Sequence, residues 1–255
     1  MAIGVLHPGE MGAAMGARLQ ERGHDVVWSS DGRSDATRER AEAAGLRDAG
    51  SLAALTGACD LVLSVCPPHA ALDLAAAVAA TGYAGVFVDG NAVAPATVAE
   101  IRGTIERGGA RFVDGGIVGP PPERAGTTRL FLSGPEAEAV AAAFDGTVVE
   151  TPVLGRDPGR ASALKMAYAA WTKGTAALLL AIRATARAEG VEDALLAEWA
   201  RSQPDATGRS EAAADAAARK GWRWIAEMEE IAATFAAAGQ PDGFHRAAAE
   251  VYRSQ

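Results

Sequence analysis

Up to about residue 151, short runs of apolar and β-branched residues alternate with Ala-rich stretches in this chain. The strand candidates are Ala2–Leu6, Asp25–Trp28, Leu61–Val65, Val86–Asp89, Arg111–Asp114, Arg129–Ser133 and Thr147–Glu150. Helices are expected between them, at Met11–Arg22, Asp35–Ala44, His69–Ala80, Pro95–Arg107 and Pro135–Phe144. This alternation predicts an α/β fold, a doubly wound and mostly parallel sheet with helices on both faces.

The strand signals stop after Gly159, and only helical patterns follow. One long helix is expected from about Arg160 to Ala188, where Gly190 provides a C-terminal stop. Further helices are predicted at Glu192–Arg201, Ser210–Arg219, Trp222–Ala238 and Asp242–Tyr252. We therefore predict two domains, an α/β domain over residues 1–155 and an all-helical domain over residues 156–255.

The composition excludes several classes of protein. A formal net charge of −8 argues against binding to nucleic acid or to an anionic membrane, which requires a basic surface. Two cysteines cannot form a disulfide framework, and the four histidines lack the spacing of metal ligands. The longest apolar stretch, Ala176 to Ile182, is too short to span a membrane, and a strand that starts at Ala2 leaves no room for a signal peptide. We expect a cytoplasmic protein without a metal.

A glycine-containing loop follows the first predicted strand and leads directly into a helix. Its residues are His7, Pro8, Gly9, Glu10, Met11 and Gly12. Gly9 allows a phosphate to approach the backbone, and Gly12 allows the helix to pack on its strand. His7 replaces the first glycine of the G-x-G-x-x-G pattern, and we expect it to tolerate positive φ. The pattern predicts a Rossmann-type dinucleotide site, with an ordinary tight turn as the alternative.

The end of the second predicted strand bears on the choice between NAD and NADP. Asp31 stands where an acidic residue would bind the ribose hydroxyls of NAD. Its neighbours Ser30, Arg33 and Ser34 offer two hydroxyls and a guanidinium to the 2′-phosphate of NADP. Arg33 would equally suit a solvated loop, so these residues alone leave the cofactor open.

Five ordered segments resemble the β-hydroxyacid dehydrogenase superfamily, which includes 6-phosphogluconate dehydrogenase. They are the loop at residues 3–12, the strand-end turn Val65-Cys66-Pro67-Pro68, the segment 89–95 around Asn91, the glycine segment 114–119, and Gly159 followed by Lys165. The resemblance implies that Val65, Cys66, Pro67 and Asn91 lie at the cofactor. It also implies that Asn91, Gly116, Ile117, Val118 and Gly119 bind substrate, and that Lys165 is catalytic. The closing helices are similar to a subgroup with a short helical domain and no settled substrate, in which an arginine turn like that at Arg33 favours NADP.

Several positions depart from the superfamily pattern. The serine that follows Asp114 in the superfamily is Val118 here, and the asparagine beyond the catalytic lysine is Ala169. The late Lys-Asp-Leu segment reads Ala226-Glu227-Met228. These changes remove or alter polar contacts to substrate, whereas the residues for hydride transfer are retained.

Lys165 is also the best proton-transfer candidate by its chemistry, because burial can tune a lysine towards neutral pKa and cannot do so for an arginine. A lysine packed along the sheet with its amine in solvent is the alternative. Tyr168 is a second candidate proton donor, and Glu227 a candidate substrate contact.

The sequence thus predicts an NADP-dependent oxidoreductase acting on a small hydroxyacid or a related alcohol or carbonyl compound. Its rivals are an imine or ketone reductase that uses Tyr168 or Glu227, and a dinucleotide-binding sensor or scaffold without turnover. We also expect a homodimer, because the Ala-rich helical domain supplies little large apolar surface of its own.

Overall fold

A computed structural model describes residues 1–254 of the chain. These residues divide into two compact units, Met1–Lys165 and the residues from Met166 onward. The division falls within a helix, later than the boundary at residue 155 that the sequence indicates. Over residues 1–254, no helix has both the length and the apolar character needed to cross a membrane.

The described residues of the first unit form an eight-stranded sheet in the order β3-β2-β1-β4-β5-β6-β7-β8. Its strands are β1 Ala2–Val5, β2 Asp25–Trp28, β3 Arg47–Asp48, β4 Leu61–Ser64, β5 Val86–Asp89, β6 Arg111–Val118, β7 Thr128–Ser133 and β8 Val149–Glu150. Strands β1 to β6 are parallel, β7 is antiparallel to β6, and β8 is parallel to β7. The strand order reverses between β1 and β4, the switch point at which doubly wound proteins bind ligands. The predicted fold class is confirmed.

Helices cover both faces of this sheet. They are α1 Glu10–Glu21, α2 Asp35–Ala43, α3 Leu52–Ala58, α4 Ala71–Ala80, α5 Pro95–Arg107 and α6 Ala137–Ala143. Strand side chains alternate between two apolar clusters, as β4 shows: Leu61 and Leu63 lie in one cluster and Val62 in the other. The strands are therefore packed on both faces, and this packing fixes the position of their carboxyl ends, where the site residues lie.

The second unit is helical. After α7 (Arg160–Ala169), a π-helical turn at Ala170–Gly174 leads into α8 Thr175–Ala188, α9 Glu192–Ser202, α10 Ala206–Ala237 and α11 Gly243–Arg253. The expected helix over 160–188 is thus interrupted by the π turn. Two predicted helices, Ser210–Arg219 and Trp222–Ala238, are wrong, because they form the single 32-residue helix α10. Gly221 does not end a helix there. It is buried within the helix, and a Cβ at this position would make an ordinary van der Waals contact with Tyr252 Cδ1, at 3.7 Å.

One further expectation for the first unit needs correction, and two of its elements have no matching prediction. Strand β6 continues to Val118 rather than ending at Asp114, because antiparallel pairing with β7 extends over Gly115–Val118. The short strand β3 and helix α3 had no matching prediction. Strand β3 has two exposed residues, so it shows no hydrophobic pattern, and its hydrogen bonds to β2 define it.

Candidate functional site

The loop after β1 presents the N-terminus of α1. Gly9 is the N-cap residue of this helix and supplies no side-chain cap. A Cβ built on Gly9 would meet no atom within 4 Å, so open space lies beside the first helical amides. A Cβ on Gly12 would lie 2.1 Å from the carbonyl oxygen of His7, so only glycine fits there. The loop therefore leads into a helix N-terminus, where first-turn amides have no intrahelical acceptor and can bind an anion.

His7 does not adopt the positive φ that the glycine-loop pattern suggested. Among residues 1–254, every residue with positive φ is a glycine. The expectation of a strained left-handed His7 is therefore wrong, and the side chain has a different role. Its Nε2 accepts a hydrogen bond of 2.9 Å from Nη1 of Arg33. Burial and the nearby Arg33 charge lower the pKa of His7 to about 4, so the imidazole is neutral at physiological pH.

Arg33 lies against the end of β1. Its Nη2 donates to the carbonyl oxygen of Leu6 at 3.2 Å, in addition to the Nη1 contact with His7. Its Nε is buried and has no hydrogen-bond partner. Arg33 is thus held by the protein, not free in solvent as the alternative interpretation assumed.

The two serines near Arg33 have partners of their own. The Ser30 amide donates to Asp48 Oδ1, and its carbonyl accepts from Arg38. Ser34 is the N-cap residue of α2, and its Oγ lies 3.1 Å from Thr37 Oγ1. Both serines therefore shape the β2 end, and their contact with a cofactor stays a prediction.

Asn91 joins the ends of β4 and β5. Its Oδ1 accepts from the Cys66 amide at 2.6 Å, and its Nδ2 donates to Ser64 Oγ at 3.0 Å. The side chain is 2% exposed. This geometry agrees with a strand-end turn former and holds the Val65-Cys66-Pro67 turn in place. The thiol of Cys66 is buried, and burial raises its pKa to about 12, which keeps the thiol protonated at physiological pH.

The glycine segment after Asp114 lies within β6, not in a loop. Gly116 pairs with Phe131 of β7, and a Cβ on Gly116 would lie 2.5 Å from the Ala161 carbonyl oxygen and 3.1 Å from Lys165 Cβ. Helix α7 therefore crosses the strand at the glycine and carries Lys165 against it. The side chain of Ile117 belongs to the apolar core, so a contact with substrate would have to come from its backbone, and this role stays a prediction.

The remaining two residues of the segment differ from each other. Val118 is also buried, at 3% exposed, and its assignment as a substrate contact likewise stays a prediction. Gly119 directly follows the strand with a φ of 114°, and a Cβ there would lie 2.1 Å from the Thr127 carbonyl oxygen. The glycine is required by this close approach of two backbones.

Asp114 anchors the start of α7, a role that the sequence did not reveal. Its Oδ2 accepts from the amides of Gly159, Ala161 and Ser162 and from Ser133 Oγ, and its Oδ1 accepts from Ser162 Oγ at 2.5 Å. The only sequence signal is indirect: Gly159 precedes α7 and offers no side-chain cap. Asp114 thus fixes the helix that carries Lys165.

Two predicted site residues lie in the helical unit. Tyr168 is 44% exposed. Glu227 is 6% exposed, and its Oε2 forms a salt bridge with Lys173 Nζ. A carboxylate already paired with an ammonium is a poor ligand for a cationic substrate, and its role as a substrate contact stays a prediction.

Residues 2–146 match the NAD binding domain of 6-phosphogluconate dehydrogenase. The chain belongs to this family. Residues 186–255 match a domain of unknown function, DUF1932. An uncharacterized 28.5 kDa protein of Methanothermus fervidus is 30% identical over 196 residues, which cover 77% of this chain and 75% of that protein. The resemblance stated from the sequence is confirmed.

Three solved structures are similar to this chain over its whole length. The conserved protein MTH1747, of unknown function and described as similar to 3-hydroxyacid dehydrogenases, is 28% identical, with a TM-score of 0.72 over 100% of this chain and 96% of its own. A 3-hydroxyisobutyrate dehydrogenase from Salmonella typhimurium is 15% identical, with a TM-score of 0.76 over 100% and 93% of the two chains. An imine reductase from Streptomyces aurantiacus is 22% identical, with a TM-score of 0.62 over 100% and 94%. The last two share the fold.

The first unit fits a dinucleotide. The open space beside Gly9, the first-turn amides of α1 and the buried unpartnered Nε of Arg33 all lie around the loop that follows β1. The first-turn amides would hold the pyrophosphate, and the β2 end would hold the adenosine ribose. NAD(P) binding is thus a property of this domain, and the choice between the two dinucleotides is a matter of the β2 end.

Proposed function

We propose that the protein is an NADP-dependent oxidoreductase that acts on a small hydroxyacid or a related alcohol or carbonyl compound, with Lys165 as the general acid and base. The observation that carries this proposal is the packing of α7 on β6. Gly116 leaves room for the helix, and Asp114 accepts hydrogen bonds from the amides at its start. Lys165 Cβ would lie 3.1 Å from a Cβ built on Gly116. All three residues belong to the same unit as the dinucleotide loop.

The proposed chemistry assigns the proton to Lys165. When bound, the nicotinamide ring accepts or supplies the hydride. In oxidation, the neutral Lys165 Nζ would take the hydroxyl proton while the hydrogen on the same carbon leaves as hydride, with the C–H electron pair, and the C=O bond forms. In reduction, the Lys165 ammonium donates a proton to the carbonyl oxygen. A lysine suits both directions because its pKa responds to its surroundings, whereas a guanidinium stays protonated.

NADP is the proposed cofactor because the Arg33 guanidinium, in the turn after β2, is held in place by His7 and the Leu6 carbonyl oxygen. A guanidinium binds a phosphate dianion through several N–H donors, and only NADP carries a phosphate on the adenosine ribose. Asp31 is exposed and remains the residue that would favour NAD.

Of the two rival functions, one uses a different proton donor and the other involves no reaction. An imine reductase would use Tyr168, since Glu227 is paired with Lys173. A cofactor sensor would bind NADPH and turn nothing over.

The test compares Lys165→Ala, Lys165→Arg and Tyr168→Phe with the wild type on panels of 3-hydroxyacids, the matching carbonyl compounds and cyclic imines. We expect Lys165→Ala to lower kcat by about 10²- to 10⁴-fold, the usual contribution of one positioned acid–base group. Its NADPH affinity should be nearly unchanged, because the phosphates bind at the Gly9 loop. Lys165→Arg should not restore turnover.

Lys220→Ala is a matched control, since it changes another lysine of the chain in helix α10. A near-normal kcat in Lys165→Ala together with a large loss in Tyr168→Phe would move the assignment to the imine reductase. Saturable NADPH binding without turnover on any panel would favour the sensor.

A further inference from the structure

His7 occupies the position at which a dinucleotide loop ordinarily has its first glycine, and it makes a contact that a glycine cannot make. Its Nε2 accepts from Arg33 Nη1 at 2.9 Å, across 26 positions of the chain. The residue has ordinary backbone geometry, so the loop conformation does not demand a histidine or a glycine there. The side chain therefore calls for an explanation beyond the turn itself.

The chemistry of the pair fixes the state of both partners. A guanidinium has only donors, so the histidine Nε2 must be the unprotonated nitrogen, and the neutral ring carries its hydrogen on Nδ1. Burial and the Arg33 charge lower the pKa of His7 to about 4, which keeps the ring in this accepting state across the physiological range. The pair is thus a neutral acceptor and a cation, and it does not depend on a second charge.

Arg33 is held at two points by this arrangement. Its Nη1 is fixed by His7 and its Nη2 by the Leu6 carbonyl oxygen, at the end of β1. Two of the five guanidinium N–H donors are then engaged with the protein, and Nε is a donor without a partner. A free arginine would populate many rotamers, and ordering it on binding would weaken the affinity for a phosphate.

We propose that His7 is a positioning residue for cofactor selectivity, which holds the Arg33 guanidinium in place for the 2′-phosphate of NADP. This inference rests on the proposed NADP function. It assigns the selectivity to a pair of residues rather than to Arg33 alone. Because the 2′-phosphate is absent from NAD, loss of the His7 acceptor weakens NADP binding and leaves NAD binding nearly unchanged.

The experiment uses a matched pair of variants, His7→Gln and His7→Leu. Both side chains fill a similar volume, and only glutamine offers a hydrogen-bond acceptor to Arg33. Affinities for NADP⁺ and NAD⁺ are measured by calorimetry, with adenosine 2′-monophosphate and adenosine 5′-monophosphate as fragment probes. We expect His7→Leu to raise the Kd for NADP⁺ and the 2′-phosphate probe by about 3- to 10-fold, the cost of ordering one long side chain. His7→Gln should stay within about twofold of the wild type.

Arg33→Ala and Arg40→Ala complete the design. Arg40 donates to the Pro8 carbonyl oxygen of the same loop, so its removal controls for a general loosening of the loop. In an Arg33→Ala background, His7→Leu should cause no further loss of NADP⁺ affinity, because the positioned group is gone. A purely structural role of His7 would weaken NADP⁺ and NAD⁺ equally in both backgrounds.

The outcomes separate this inference from the function on which it rests. If Arg33→Ala lowers the preference for NADP⁺ and His7→Leu does not, the positioning role is overturned and the proposed cofactor stands. Equal weakening of both cofactors by His7→Leu also overturns it. If the wild type prefers NAD⁺, or if Arg33→Ala leaves the preference unchanged, the proposed cofactor itself is wrong.

Discussion

Asp114 shows how a single buried side chain determines where a catalytic candidate lies. Its carboxylate is fully buried and accepts hydrogen bonds from three amides and two hydroxyls at the start of α7. A negative charge at a helix N-terminus also interacts favourably with the helix dipole. The position of Lys165 therefore depends on a residue that touches no substrate.

Replacing Asp114 tests this dependence. We expect Asp114→Ala to lower the free energy of unfolding by about 3 kcal/mol, since buried donors lose their acceptor. Asp114→Asn should also destabilise, because its amide would turn donors towards the amides of α7. Urea unfolding of the full chain measures the effect. Asp157→Ala, which removes an exposed carboxylate paired with Arg160, should change little, and an equal loss in that variant would contradict the assignment.

The sequence predicts those residues of the candidate site that belong to a local motif. The Gly9–Gly12 loop directly follows a strand and opens a helix, so neighbouring residues suffice to recognise it. The hydrogen bonds from the start of α7 to Asp114 join residues at least 45 positions apart, and the His7–Arg33 pair joins residues 26 positions apart. No periodicity of the sequence indicates such contacts. For the same reason the sequence does not show that Ile117 and Val118 are strand residues, which only the pairing with β7 reveals.

Among the elements, the unit made of β1, its loop and α1 combines two glycines with different purposes. At Gly12 an added Cβ would collide with the His7 carbonyl oxygen at 2.1 Å, whereas at Gly9 it would meet nothing within 4 Å. Gly12 thus serves the packing of helix on strand, and Gly9 serves the approach of a ligand.

The two alanine variants should therefore separate stability from binding. Gly12→Ala should lower the free energy of unfolding by about 1–3 kcal/mol, because a backbone atom must move. Gly9→Ala should leave stability within about 0.5 kcal/mol and weaken NADP⁺ binding at least about tenfold, since the methyl group occupies the space beside the helix N-terminus. Thermal unfolding and calorimetry give the two numbers. Unchanged cofactor affinity in Gly9→Ala would show that the dinucleotide binds elsewhere.

The element pattern of the first unit is largely predictable from the sequence, because short apolar, β-branched runs alternate there with longer Ala-rich stretches. Five of its helices and seven of its strands were expected near their observed positions. The helical unit was less predictable. Gly221 lies in the gap between two predicted helices, yet α10 continues through it and buries it against Tyr252, so tertiary packing overrides local propensity there.

At the scale of the whole molecule, apolar exposure is concentrated in the second unit. Among residues 1–254, eight large apolar side chains are exposed, and six of them follow residue 165: Tyr168, Trp171, Leu178, Val191, Trp222 and Phe244. Three of these, Trp171, Leu178 and Phe244, line one groove with a volume of about 540 Å³. Exposed apolar patches of this kind usually mark an interface.

We propose that a second copy of the chain covers this groove, as the Ala-rich composition of the helical unit already suggests. Phe244 is 76% exposed at the groove that it lines, so one copy offers both a protruding ring and a recess, as a twofold interface requires. Leu178→Glu with Phe244→Glu should convert a dimer into a monomer, because each copy would place carboxylates in an apolar contact. Light scattering coupled to size exclusion measures the mass. Leu72→Glu, at an exposed leucine of the first unit, should leave the dimer intact. A monomeric wild type at micromolar concentration, or dissociation by Leu72→Glu alone, would assign the groove to a different occupant.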